Sequence, residues 1–77
     1  MNSSQCRAAR ALLKWSQTEL AIASGVSMST VADFEIDKRE PRSDKLTAIR
    51  LALQGAGIEF LPAKGGKGVG VRLREEQ

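Results

Sequence analysis

The chain has 77 residues, 42% of them hydrophobic, and a formal net charge of +3; so short a chain buries enough surface for one compact domain and not for two. Trp15, Phe34 and Phe60 are the only aromatics, which leaves an aliphatic and alanine core and favours helices over a β-sandwich. A single cysteine, Cys6, excludes an internal disulfide, no apolar run is long enough to span a bilayer, and no secretory series opens the chain, so a cytoplasmic protein is expected.

In chain order, Cys6, Ala9, Leu12 and Leu13 recur at helical spacing between Ser3 and Lys14, with Arg7 and Lys14 outside. This is the first helix. Ser16 followed three residues later by Glu19 is a capping box and starts a second. That helix runs only to about Ser24, because Gly25 suits the left-handed conformation that ends a helix. Ser27 caps a third helix over Met28 to Ile36, whose inner face holds Val31 and Phe34. Asp37 to Arg42 is polar and contains Pro41, which disfavours helix at Glu40, so a charged loop is expected there.

Ser43 is expected to cap a fourth helix, Asp44 to Gln54, with Leu46, Ile49, Leu51, Ala52 and Leu53 as its apolar residues and Gly55 at its end. Beyond it the period changes to that of strands. Ile58 and Phe60 alternate with Glu59, and Val69, Val71 and Leu73 alternate with Gly70, Arg72 and Arg74, which predicts two strands joined by Ala63 to Gly68. Glu75 to Gln77 reads as a frayed end. The expected architecture is mainly α: a helical domain over residues 1–56 and a two-stranded β extension over 57–77.

The second and third helices carry a constellation. Two short helices joined by a tight turn need a small residue where they cross, a glycine in the turn and a branched apolar residue on the second helix, and Ala21, Gly25 and Val31 stand in those places. Leu20, Val26 and Phe34 complete the buried side. The opposite side of the third helix is then exposed and can enter a DNA major groove.

The stretch Gln17-Thr18-Glu19-Leu20-Ala21, Ser24-Gly25-Val26-Ser27, Thr30-Val31 and Phe34-Glu35 resembles the Cro/CI-type, or XRE, helix-turn-helix family of phage and bacterial regulators, over about Arg7 to Leu53. The resemblance implies a four-helix, lambda-repressor-like domain whose third helix reads bases of double-stranded DNA. It places base contacts on Ser27, Met28, Ser29 and Asp33, with Thr30 beside them, and a backbone phosphate contact on Gln17. Ser, Met and Ser cannot make the paired hydrogen bonds of Arg, Gln or Asn, so their readout is by hydroxyls and thymine methyls; Asp33 can accept from a cytosine amino group. Arg10, Lys38, Arg39 and Arg42 are further candidates for phosphate. Arg10 also matches, with Glu35, a pair that the family often uses as a salt bridge between the first and third helices.

No histidine, no paired carboxylates and no cofactor motif are present, so neither an enzyme, a metal site nor a cofactor is expected. Gly65-Gly66-Lys67-Gly68-Val69-Gly70 lacks the Lys-Ser/Thr ending of a phosphate-binding loop and no helix follows it, so it reads as a hairpin loop. The expected function is transcription regulation, as a repressor, by a homodimer joined through residues 57–74. A hairpin folded back on its own domain is the alternative for that segment. An antitoxin that binds both DNA and a toxin protein is the alternative function, and an adaptor that has lost DNA binding is a third. A DNA-bound protein of this kind would sit at the nucleoid.

Overall fold

The computed structural model describes residues 1–75. Four helices, α1 (Ser3–Leu13), α2 (Gln17–Ser24), α3 (Met28–Glu35) and α4 (Ser43–Gly55), are followed by strands β1 (Ile58–Leu61) and β2 (Gly70–Leu73). Of the expected frayed end, Glu76 and Gln77 lie outside the described residues.

Each of the first three helices begins where a side chain satisfies its free backbone donors. Asn2 accepts from the Gln5 amide at 2.8 Å while the Gln5 side chain accepts from the Asn2 amide at 2.9 Å, a reciprocal cap. Ser16 and Glu19 form the expected box at 3.0 and 2.9 Å. The Ser27 hydroxyl accepts from the Thr30 amide at 3.2 Å. Gly25, at φ +70°, closes α2, and the Val26 amide reaches back to the Ala21 carbonyl at 3.2 Å, so the turn leads straight into α3. Helix α3 stops at Glu35, one residue sooner than expected, as Ile36 caps it and Asp37 turns left-handed at φ +59°.

Ser43 does not cap α4. The Leu46 amide bonds the Arg42 carbonyl at 2.9 Å, which makes Arg42 the last extended residue and Ser43 the first helical one. A serine caps only from extended backbone, so its hydroxyl has no orphan amide within reach, and Arg42 has no side-chain bond to offer instead.

The core takes Cys6 and Ala9 from α1, Leu20 and Ala21 from α2, Val31 and Phe34 from α3, and Ile49 and Leu53 from α4, with Val26 from the turn. Leu12 and Leu51, expected among the apolar faces, are exposed. Leu51 lies about 200° round the helix from Ile49, which points it away from the layer that Ile49 and Leu53 fill.

The strands pair antiparallel, with Ile58 opposite Leu73 and Phe60 opposite Val71. Strand β2 packs on α1 and β1 on α4. Ile58 is fully buried and Phe60 and Val71 rest on the same core, while Gln5 donates to the Gly70 carbonyl at 3.0 Å. Much of the extension's apolar surface is thus used within the chain. Val69 falls outside β2, because Pro62 has no amide to continue the ladder past Leu61. Val69 and Leu73 stay 46% and 36% exposed.

Candidate nucleic-acid interface

Val31 and Phe34 anchor one side of α3 in the core and turn the other outward. Met28 and Ser29 are exposed there, with Thr30 and Asp33 half-buried beside them. The Thr18 hydroxyl meets the Met28 sulfur at 3.2 Å, which fixes the start of α3 against the start of α2. Ser27 is the least free of the five residues expected to read bases. Its hydroxyl caps the helix and lies 2.8 Å from the Thr30 hydroxyl, so its lone pairs are engaged within the helix start.

Ser29, Thr30 and Asp33 form one wall of a groove of about 310 Å³, and Arg39, Glu40, Pro41, Arg42 and Lys45 line the rest of it. The loop is held in place by the Lys38 and Arg39 amides, which both donate to the Asp33 carbonyl, at 2.8 and 3.4 Å. Three cations therefore flank the exposed side of α3. Arg42 lies 3.5 Å from Asp44 in an ion pair open to solvent, a weak contact that a phosphate can replace. Lys45 is not legible as a site residue from the sequence pattern. Its one signal is its place in the first turn of α4, three residues after Arg42, which puts it over the same loop.

Arg10 belongs elsewhere. Its guanidinium makes two bonds of 2.7 Å to the Glu35 carboxylate and a third, of 2.9 Å, to the Trp15 carbonyl. With side chains 20% and 2% exposed, the pair is an internal tie between α1 and α3. Moving Arg10 to a phosphate would strand a buried carboxylate, so the ion pair competes with a phosphate contact at this residue. Arg7 adds a bond to the Glu35 backbone carbonyl.

Gln17 shares this centre, donating one amide hydrogen to Glu35 at 3.0 Å. Cys6 also donates to Glu35, at 3.3 Å, so the carboxylate gathers side chains from α1 and α2 onto α3. Burial by itself would push the Glu35 carboxyl up, but hydrogen bonds from Arg10, Gln17 and Cys6, with the charge on Arg10, bring it below its ordinary value. Burial first, then the bond and charge of Glu35, push the Cys6 thiol up to about 12. The thiol is therefore a protonated donor at neutral pH, which is what a carboxylate partner requires.

Among the described residues no group of three or more His, Cys, Asp or Glu side chains is placed to hold a metal ion, and no helix is long and apolar enough to cross a membrane. Comparison with curated proteins returned no match. The model of the helix-turn-helix family matches residues 7–60, well over half of the chain, and spans α1 to β1. The packed α2–α3 pair with its glycine turn, the outward side of α3 and this match agree, and the chain belongs to the Cro/CI-type (XRE) helix-turn-helix family of DNA-binding transcription regulators.

Proposed function

We propose that the chain acts as a homodimeric repressor, with α3 laid in the major groove of each of two half-sites. The observation that carries this reading is the groove in which the exposed Ser29 and the half-buried Thr30 and Asp33 are flanked by Arg39, Arg42 and Lys45, against the single loop carboxylate of Glu40. In it Met28, Ser29, Thr30 and Asp33 meet base edges, while Gln17, Lys38, Arg39 and Arg42 meet phosphates, which position the helix without carrying sequence information. Ser27 contributes chiefly by holding the helix start toward the groove.

One α3 touches too few base pairs for useful specificity, and two half-sites about 34–36 Å apart supply the rest. The extension over residues 57–74 is the joining element: both strands of its two-stranded sheet have an open edge, and Val69 and Leu73 remain exposed along it. Repression needs no more than occupancy of a site that a polymerase must use.

Selection of bound duplexes from random DNA tests the reading. A two-fold symmetric consensus is expected, and a promoter overlapping that consensus should lose activity when the chain is expressed. Lys38→Ala should weaken binding to all sequences alike, whereas exchanging Met28 and Ser29 should change the consensus. A Lys38 variant with a new consensus, or Met28 and Ser29 variants with the old one, would reject this division of labour.

A further inference from the structure

The hairpin has two unlike ends. Its base is tied to the helices through Ile58, Phe60, Val71 and the Gln5 bond to Gly70, whereas every residue from Pro62 to Val69 is exposed. From Leu61 to Lys64 an extended chain advances about 10 Å, so the tip stands clear of the body. There Lys64 and Lys67 face each other, each amide donating to the other's carbonyl at 3.0 Å, around Gly65 and Gly66 at φ +61° and +78°. The glycines are what a tight hairpin turn with two left-handed residues requires. The lysines are not.

Like charges directly opposite each other weaken a hairpin. Among the described residues no ion pair relieves these lysines: the pairs are Arg10–Glu35, Arg42–Asp44 and Arg72–Glu59. No Asp or Glu occurs between Pro62 and Arg74. Four of the residues from Gly65 to Gly70 are glycine, so an anion can also approach the backbone closely. Ala63 to Gly68 contains no aromatic and no large apolar side chain, which leaves little for a protein partner to anchor on.

We propose that the Lys64–Lys67 tip is a second, sequence-independent contact with the phosphates of duplex DNA, made by an arm separate from α3 and its loop. This rests on the reading of the chain as a DNA binder. Opposed residues in a ladder hold their Cβ atoms about 4.5–5.5 Å apart. Their four-carbon stems then bring two ammonium groups to one phosphate or to neighbouring phosphates of a strand.

The experiment compares the full chain with the Lys64→Gln/Lys67→Gln variant on a labelled mixed-sequence duplex, by fluorescence anisotropy over a salt series. Removing two phosphate-neutralising charges from each bound chain makes the slope of log K against log salt shallower by about 1.8 per chain, about 3.6 for a dimer, with the selected consensus unchanged and the melting temperature not lowered. Lys64→Arg/Lys67→Arg keeps the wild-type slope. An unchanged slope in the glutamine variant overturns the proposal, and if retention on polyglutamate is lost at the same time, the tip serves an acidic protein instead. Absence of DNA binding by the wild-type chain overturns both readings, whereas failure of the arm alone shows only in the variant.

Discussion

Glu35 is the residue on which the domain turns, because one buried carboxylate receives bonds from Arg10, Gln17 and Cys6 and so joins α1 and α2 to the recognition helix. Removing one charge of the Arg10–Glu35 pair leaves the other buried and unpaired, so Arg10→Met alone should cost about 1–3 kcal/mol more than Arg10→Met with Glu35→Leu. Additive losses in that cycle would mean that the two do not interact. The sign of the pH dependence follows from the depressed carboxyl. Its contribution is complete above the ordinary value of 4.5 and is lost as pH falls below it. Urea midpoints of the wild type should therefore drop between neutral and acid pH more than those of the double variant, and parallel curves would refute the assignment. For Cys6, with its thiol pushed up to about 12 and no exposed surface, alkylation should proceed only through unfolding. A native-state rate independent of added denaturant would contradict it.

At the scale of elements, three serines are expected from the sequence to cap helices and two of them do. Ser16 and Ser27 accept from the backbone of the first turn, and Ser43 has already entered its helix. Replacing Ser16 or Ser27 by alanine should cost about 1 kcal/mol, while Ser43→Ala should stay within about 0.5 kcal/mol. Thermal melts of the three variants check this, and an equal loss at Ser43 would restore it as a cap. Gly25 is a different constraint on the same turn. A Cβ there would meet no atom, so the cost of Gly25→Ala is the left-handed backbone alone, roughly 1–2 kcal/mol. A smaller loss would show that the turn between α2 and α3 relaxes.

For the molecule as a whole, the hairpin below its Lys64–Lys67 tip has two proposed duties that its residues divide. Ile58, Phe60 and Val71 complete the core of their own chain, while Val69 and Leu73 remain exposed and are the surface proposed for a second copy. Deleting the hairpin would open the core, so oligomeric state is better tested by Val69→Lys with Leu73→Lys. Light scattering should find a dimer for the wild type and a monomer for this variant, with the same helical signal. A monomeric wild type, or a variant that remains dimeric, would place the joining surface elsewhere.

The helices and their turn were legible in the sequence because their causes are local. A Ser with a Glu three residues on, a glycine after eight helical residues and apolar positions at helical spacing act within a turn or two of chain, and α2, its capping box and the Gly25 closure follow from them. The start of α4 was less legible, since whether Ser43 caps depends on which carbonyl the Leu46 amide finds. Candidates for base reading could be named from their positions in the helix-turn-helix pattern, but not their neighbours in space. That Lys45 joins Arg39 and Arg42 beside α3, and that Arg10 serves Glu35 and the Trp15 carbonyl, depends on how α1 and α4 pack on α3. The hairpin shows the same division. Alternation marks a strand and its two faces, yet whether an apolar face meets its own helices or another chain is a question of which surface is nearest and best shaped, and only the assembled tertiary structure answers it for Ile58, Phe60 and Val71.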